Sequence, residues 1–175
     1  MQNVERVLIS EAEIEKRNKE LGELLTKEYA DKENPIFVGV LKGAQPFMSD
    51  VLKHVELVHI ELDYMRISSY KGTESTNELR VLLDLTVPIE GRDVLIIEDI
   101  VDTGQTLKKL MDILELRNPK SLKVLTLLDK PERRTVEIEA DYVGFTIPNE
   151  FVIGYGMDFD EHYRTLNYIG IYKSE

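Results

Sequence analysis

The chain alternates between short, continuous apolar segments and longer segments in which apolar residues recur at helical spacing. Unbroken apolar runs lie at residues 36–41 and 94–97, and a third, mostly apolar run lies at residues 122–128. Such runs are typical of strands that are covered on both faces of a sheet. The segments after the first two runs carry apolar residues on one helical face, namely Phe47, Val51 and Leu52, and then Leu107, Leu110, Met111 and Leu114. This alternation predicts an α/β fold with a parallel twisted sheet flanked by helices.

The remaining segments are predicted at the ends and margins of this sheet. Ser10 and Glu13 have the spacing of a capping box and open a charged helix that runs to about Ala30. Residues 68–78, SSYKGTESTNE, are polar and show no periodicity. They predict a loop of about a dozen residues, a length that suggests a function such as a lid. Strands are predicted at residues 57–67 and 80–85, and near 142–145, 151–155 and 168–172.

Composition and charge narrow the classes of function. The length of 175 residues predicts a single domain over residues 1–175, because domains usually hold roughly 100–200 residues. The absence of cysteine excludes disulfides, a thiol nucleophile and a thiolate metal site. The formal net charge of −11 argues against binding of nucleic acid or of an anionic membrane, since phosphate contacts need clustered Lys and Arg. A polar N-terminus and the lack of a membrane-spanning apolar run predict a cytoplasmic protein.

The second apolar run leads into a segment with the features of a phosphate site, VLIIEDIVDTGQT at residues 94–106. Ligands of open parallel sheets bind at the carboxyl ends of the strands, beside the N-termini of helices. The free N–H groups of the helix that follows favour an anion at this place. Gly104 permits close approach of the backbone, and Thr103 and Thr106 offer hydroxyl groups. The segment therefore predicts a cradle for one phosphate group.

Three carboxylates lie beside this cradle, at Glu98, Asp99 and Asp102. They cannot serve the phosphate, because like charges repel. They can instead accept hydrogen bonds from sugar hydroxyls, hold a divalent cation or take a proton. A phosphate site, a hydroxylated sugar and a metal together suggest a sugar-phosphate substrate.

Three other interpretations of this segment are weaker. A solvated acidic turn is the default for one Asp after a core strand, but it does not explain three carboxylates beside an anion site. The triplet Asp102-Thr103-Gly104 matches the aspartic-protease signature, which belongs to an all-β dimer, whereas an amphipathic helix follows here. A nucleotidase with a P-loop needs a G-x-x-x-x-G-K-[ST] run, and the chain contains none.

The segment EDIVDTGQT resembles the phosphoribosyl-pyrophosphate (PRPP) binding motif of type I phosphoribosyltransferases, and the whole chain resembles the bacterial hypoxanthine-guanine phosphoribosyltransferase family. The segments that carry the wider resemblance follow the order of that family and span nearly all 175 residues; they are LKGA, SSY, LLDKPERR, YVGFTIPNEFVIGYGMD and YRTLNYIGIYK. The resemblance implies a type I phosphoribosyltransferase-like fold with a small hood region from the chain termini. It also implies phosphoribosyl transfer from PRPP to a 6-oxopurine, hypoxanthine or guanine, with Mg2+ as cofactor, in a homodimer or homotetramer.

The resemblance also implies a role for individual residues. Glu98 and Asp99 would contact the ribose side of PRPP, while its 5′-phosphate would be held by Asp102, Thr103, Gly104, Gln105 and Thr106. Asp102 would also be the general base near N7 of the purine. Pyrophosphate would be bound by Lys42, Gly43 and Arg164, and the purine by Lys130, Phe151, Val152 and Asp158. Mg2+ would be held by Glu98, Asp99 and Asp158, and a loop that opens with Ser69 and Tyr70 would close over the reacting centre.

Simpler interpretations of some of these residues stay open without the resemblance. Asp102 could be only a helix N-cap, Lys42-Gly43 only a strand-to-helix turn, and Lys130 only a solvated side chain. The alternatives for function are a xanthine-preferring enzyme and a non-catalytic regulator that senses PRPP or nucleotides with the same fold. Lys130 argues against adenine, because a cationic donor suits an oxygen at the 6-position. The chain has no added helix-turn-helix and no long basic stretch, which argues against a regulator.

Overall fold

The computed structural model describes residues 3–71 and 77–173, which form a mixed sheet flanked by helices and a second, smaller sheet. The helices and strands are β1 (Val4–Ile9), α1 (Glu11–Tyr29), β2 (Ile36–Leu41), α2 (Gln45–Leu52), β3 (Glu61–Lys71), β4 (Asn77–Leu83), β5 (Asp93–Val101), α3 (Gln105–Glu115), β6 (Ser121–Asp129), β7 (Tyr142–Thr146), β8 (Val152–Ile153) and β9 (Ile169–Tyr172), with a 3-10 helix at Pro131–Arg133. Over the described residues, none of the helices has the length and apolar character needed to cross a membrane.

The larger sheet has the strand order β4-β3-β2-β5-β6-β7. All neighbouring strands are parallel except β4, which pairs antiparallel with β3. Successive residues of β2 alternate between two hydrophobic cores: Phe37 packs with Leu21 of α1, and Ile36 packs with Leu110 of α3. The central strands are therefore buried on both faces, which explains why they read as continuous apolar runs. The predicted α/β fold is confirmed.

The predicted helix starts agree with the structure to within two residues. The capping box is formed at the start of α1, where Ser10 Oγ accepts a hydrogen bond from the Glu13 N–H at 3.3 Å and the Ser10 N–H donates to Glu13 Oε2 at 2.8 Å. α2 carries Pro46 in its first turn, where a missing N–H costs nothing. α3 begins at Gln105 rather than after Thr106.

The smaller sheet is built from both ends of the chain, in the order β1-β9-β8 with antiparallel pairs. Val4 lies opposite Tyr172, and Ile9 lies opposite Ile169. The hood region expected from the chain termini is therefore present. The strand β1, VERVLI, has little apolar pattern of its own, and its partner lies at the opposite end of the sequence.

Two predicted boundaries are wrong. β3 begins at Glu61 rather than at residue 57, because the apolar side chains of Leu57 and Ile60 pack against the core from a connection without strand pairing. The polar segment 68–78 is not a loop throughout: Ser69 pairs with Leu79, and Tyr70 pairs with Glu78, in the antiparallel ladder of β3 and β4. Backbone hydrogen bonds form this ladder without an apolar alternation. Residues 72–76 of the predicted loop lie outside the described residues.

Candidate active site

The segment after β5 forms a sharp turn that opens α3. The N-cap of α3 is Gly104, whose φ of +82° lies in the left-handed region and which has no side chain to cap the helix; the Gln105 N–H donates a long hydrogen bond of 3.4 Å to Thr103 Oγ1. A Cβ at this position would lie 2.6 Å from Ile138 Cγ2, so glycine is required both by conformation and by space. Asp102 is therefore not the helix N-cap. The first N–H groups of α3 remain directed toward the turn, as an anion site needs.

Arg134 holds this turn in place. Its guanidinium donates to the carbonyl oxygens of Val101 at 3.1 Å and Asp102 at 2.6 Å, and to Ile138 at 3.1 Å. It also forms an ion pair with Asp129 at the end of β6. Sequence reasoning missed Arg134, although it lies in the quoted segment LLDKPERR, because nothing in the local pattern shows that its partners are main-chain oxygens 32 and 33 residues earlier.

A cleft of about 210 Å³ lies at this edge of the sheet. Six of the predicted site residues line it: Glu98, Asp99, Asp102, Thr103, Gly104 and Thr106. Gln105 instead directs its amide toward Thr135, donating from Nε2 to Oγ1 at 2.9 Å. The residues predicted from the contiguous segment are thus brought together around one space, with Ile67 of β3 forming part of its wall.

Glu98 and Asp99 form an inner pair of carboxylates within β5. Burial and the neighbouring Asp99 raise the pKa of Glu98 well above its usual value. Burial also raises the pKa of Asp99 to about 6, against the opposing effect of the Ile100 N–H, which donates to Asp99 Oδ1 at 2.7 Å. Gly43 lies directly against this pair, since a Cβ there would be 1.7 Å from Asp99 Oδ2. The pair therefore binds protons more readily than exposed carboxylates do.

Asp102 and Lys130 lie at the adjoining strand ends. Asp102 Oδ1 accepts a hydrogen bond from Arg133 Nε at 3.0 Å, which leaves its second oxygen for another partner. Lys130 is buried, and its backbone N–H donates to the Val101 carbonyl at 3.0 Å. Burial lowers the pKa of the Lys130 ammonium, while the nearby negative charge of Asp102 opposes that shift. Lys130 is thus not the solvated side chain that its sequence context alone would suggest.

Two further cations, Lys42 and Arg164, line a second pocket of about 610 Å³. Lys42 follows a cis peptide bond at Leu41-Lys42, and its Nζ donates to Glu161 Oε2 at 2.7 Å. Arg164 donates to the Gly156 carbonyl at 2.7 Å and lies 3.0 Å from Asp158 Oδ1. The charges of Arg164 and Asp158 both act on the pKa of Asp99. The predicted pyrophosphate residues therefore lie next to the inner carboxylates.

The aromatic residue predicted for the purine, Phe151, lies directly before β8. The Phe151 side chain is 52% exposed, and its ring packs edge-on against Phe159 and Tyr172 at centroid distances of 5.9 and 5.8 Å. Val152 is buried in β8. Glu150, the residue before Phe151, lies close enough to Lys130 to affect the pKa of the Lys130 ammonium. An exposed aromatic face of this kind can stack on a planar ligand. Phe159 was not singled out by sequence reasoning.

The carboxylates fit a magnesium ion that is shared with a substrate. Within residues 3–71 and 77–173, no group of three or more His, Asp or Glu side chains could hold a metal ion by itself. Magnesium in proteins is usually bound by one or two carboxylates together with water and substrate phosphates. Glu98 and Asp99, which both line the cleft, could supply such a pair. Asp158 is already paired with Arg164.

Comparisons with known proteins show the family to which the chain belongs. Residues 10–160 match the phosphoribosyl transferase domain. The chain is 53% identical over 173 residues to the hypoxanthine-guanine phosphoribosyltransferase of Lactococcus lactis, covering 98% of this chain and 93% of that protein. It is 56% identical over 174 residues to the bifunctional protein TilS/HprT of Listeria monocytogenes, covering 99% of this chain but 26% of that protein. The chain thus spans about a quarter of the length of that relative.

Solved structures lead to the same family. A hypoxanthine phosphoribosyltransferase from Staphylococcus aureus superposes with a TM-score of 0.91 at 51% sequence identity, covering 97% of this chain and 92% of that one. Its sheet flanked by helices corresponds to the fold described above. The chain belongs to the phosphoribosyl transferase domain family and, within it, to the hypoxanthine-guanine phosphoribosyltransferases.

Proposed function

We propose that this chain is a purine-salvage enzyme that transfers the 5-phosphoribosyl group from PRPP to hypoxanthine or guanine, giving IMP or GMP and pyrophosphate. The observation that carries the proposal is the cleft at the carboxyl edge of β5, which joins a helix N-terminus with buried carboxylates. A phosphate and a sugar with hydroxyl groups require these two features side by side. The relative from Lactococcus lactis, of which the chain covers 93%, is named a hypoxanthine-guanine phosphoribosyltransferase.

The 5′-phosphate of PRPP would bind at the turn of residues 102–106. Its oxygens would accept hydrogen bonds from the backbone N–H groups at the start of α3 and from the hydroxyls of Thr103 and Thr106. Arg134 supports this assignment, because it fixes the carbonyls of the turn from behind. The Gln105 side chain contacts Thr135, so its contribution to the phosphate would come from its backbone.

The ribose and the leaving group would lie between the inner carboxylates and the cations of the second pocket. Glu98 and Asp99 would accept hydrogen bonds from the ribose hydroxyls and, with Asp158, would hold Mg2+. When bound, the metal offsets negative charge on the departing pyrophosphate. Lys42 and Arg164 would bind the pyrophosphate oxygens as charged donors, and Gly43 would leave room for them beside Asp99.

The purine would be held between Phe151 and Lys130. The base would stack on the exposed ring of Phe151, Val152 would read its edge through backbone groups, and the main chain of Asp158 would meet the 2-position. Lys130 would donate to the 6-oxygen, which favours 6-oxopurines over adenine. In the reaction, N9 attacks C1′ as the bond from C1′ to pyrophosphate breaks, and the free oxygen of Asp102 takes the proton from N7.

The hairpin of β3 and β4 would supply the closing segment. Ile67 already lines the cleft, and Ser69 and Tyr70 continue the same strand beyond it. Closure of such a segment would exclude water that could hydrolyse PRPP.

We further propose that the chain forms one domain over residues 1–175 and works as a cytoplasmic homodimer or homotetramer. Exposed apolar side chains on β3 and β4 support self-association; they are Leu62, Tyr64, Val81, Leu82 and Leu83. A sedimentation mass equal to a single chain of 20.2 kDa would contradict the oligomer.

The activity is tested by measuring pyrophosphate release from PRPP in the presence of Mg2+. Parallel reactions contain hypoxanthine, guanine, xanthine, adenine or no base. We expect release with hypoxanthine and guanine, and none without a base or with adenine. Faster release with xanthine than with either would identify the xanthine-preferring alternative. Binding of PRPP without release for any base would contradict the enzyme and favour a sensor with the same fold.

A further inference from the structure

Glu161 joins the two cations that are proposed to bind pyrophosphate. Its Oε2 accepts a hydrogen bond from Lys42 Nζ at 2.7 Å, and its Oε1 lies 3.4 Å from Arg164 Nη2. The interaction with Lys42 is the main cause that holds the pKa of Glu161 below its usual value. Lys42 and Glu161 are 119 residues apart in sequence. The Glu161 carboxylate thus accepts from cationic donors in two separate parts of the fold.

The backbone places Glu161 at this point. Asp160 and Glu161 have φ values of +51° and +64°, a left-handed conformation that residues other than glycine, asparagine and aspartate rarely adopt. The turn is held by the Glu161 N–H, which donates to Asp158 Oδ2 at 2.9 Å, and by the bridge between Phe159 and His162. The main chain is therefore fixed, whereas the Glu161 side chain is 62% exposed and can turn into solvent.

We propose that Glu161 is an internal competitor of pyrophosphate: its carboxylate neutralises Lys42 and Arg164 in the empty site and must leave them when PRPP or pyrophosphate binds. The inference rests on the proposed function, which makes these two cations the pyrophosphate donors. A phosphate bound to the Lys42 ammonium would lie beside the Glu161 carboxylate, which is 2.7 Å from the same Nζ, and the two anions would repel each other. Each binding event therefore exchanges one anion for another, and return of Glu161 favours departure of the product.

The expected effect is moderate. Ion pairs between exposed groups are weak, and breaking one pair of this kind changes an equilibrium by roughly two- to five-fold. Replacing Glu161 by Gln keeps the shape of the side chain but removes the charge. We expect E161Q to bind pyrophosphate and PRPP about two- to ten-fold more tightly, and to release pyrophosphate correspondingly more slowly. The KM for hypoxanthine should stay unchanged, because Glu161 contacts Asp158 through its backbone N–H, which the substitution keeps.

Asp160 provides a matched control. It is the neighbouring residue, it is exposed, and it takes part in none of the ion pairs formed within the described part of the chain. D160N removes the same charge at nearly the same place, and Asn tolerates the left-handed conformation well. A general change of electrostatic potential would therefore act on both variants, whereas competition for the cations acts on E161Q alone.

The experiment measures the Kd of pyrophosphate by calorimetry, together with KM for PRPP and for hypoxanthine, in the parent protein and both variants. Tighter pyrophosphate binding and a lower KM for PRPP in E161Q, with D160N within about 1.5-fold of the parent, would support the competitor. Equal shifts in both variants, no shift, or weaker binding in E161Q would overturn it. If the parent transfers phosphoribosyl groups normally, such results reject only the role of Glu161. A parent that neither binds pyrophosphate nor reacts would reject the proposed function itself.

Discussion

Two sets of carboxylates in the same site lie in opposite electrostatic surroundings. The inner set, Glu98 and Asp99, is built into β5, and the residues that the structure describes form no salt bridge with either side chain. Burial raises the pKa of both groups. The outer set lies on turns, and each member contacts a cation: Asp102 with Arg133 at 3.0 Å, Asp158 with Arg164 at 3.0 Å, and Glu161 with Lys42 at 2.7 Å.

This difference in cation partners indicates how each set of carboxylates would respond when a substrate binds. A buried carboxylate pair that forms no salt bridge is stabilised by a cation from outside, either a proton or a metal ion. The outer carboxylates already have partners, so an incoming anion or purine must compete with a bond inside the protein. In the proposed reaction, the inner set would therefore favour arrival of Mg2+ with PRPP, and the outer set would exchange partners. Three substitutions test this contrast.

The largest effect is expected for Asp102→Asn. Asn keeps the shape of the side chain and can stay near Arg133, but it cannot take the proton from N7. Removal of a general base typically costs about 10²- to 10⁴-fold in rate, so kcat should fall by that order. The KM for PRPP should change by less than about three-fold, because the N–H groups of α3 and the bonds from Arg134 are untouched.

Asp112→Asn is the control for this substitution. Asp112 also forms an ion pair with a cation, Lys108, but both lie on the exposed face of α3, outside the cleft. Steady-state kinetics should give parent values for this variant. A D102N protein that retains more than a tenth of the parent kcat would contradict the role of Asp102 as a base.

The site shows which contacts a sequence reveals. The phosphate turn could be predicted because its chemistry lies within the nine consecutive residues 98–106, so the strand and helix around it fix the geometry. The contact of Gly43 with Asp99 could not be predicted, since it depends on the pairing of β2 with β5. The position of Glu161 between Lys42 and Arg164 depends likewise on a turn whose left-handed φ values occur at residues other than glycine. The amino-acid sequence around these residues predicts neither contact.

The same distinction explains the hairpin of β3 and β4. Ser68, Ser69 and Tyr70 read as a loop because their side chains show no apolar alternation. Strand formation at this edge of the sheet depends on main-chain hydrogen bonds to β4, and a polar edge strand does not need a buried face. The Arg134 network was missed for a related reason, because its acceptors are main-chain carbonyls.

A smaller effect is expected for Asp99→Asn, and it should depend on pH. Burial raises the pKa of Asp99 from 3.8 to about 6. The folded state therefore binds a proton more tightly than the unfolded state, and the resulting stabilisation is present below pH ~4 and is lost as the pH rises through about 6. Asn carries no charge and avoids that loss. The stability of D99N relative to the parent should rise by about 1 kcal/mol between pH 5 and pH 8.

Urea unfolding in EDTA at the two pH values measures this difference without bound metal. The Asp112→Asn protein again serves as the comparison, because it loses a carboxylate from the surface. A D99N protein that is less stable than the parent at pH 8 would show that Asp99 has a cation partner in the folded state, and the contrast between the inner and outer sets would fail.

The smallest effect is expected for Arg133→Met, which removes the cation beside Asp102. The two side chains are 45% and 42% exposed, and an exposed pair contributes about 0.2–1 kcal/mol. Arg133 therefore restricts the orientation of Asp102 only weakly, and we expect kcat to fall by about two- to five-fold, with Arg133→Lys recovering most of the loss. Steady-state kinetics on the three proteins gives the ratio. A loss as large as that of D102N would mean that Arg133 acts on the reacting atoms, and that the outer ion pair persists through the reaction instead of exchanging.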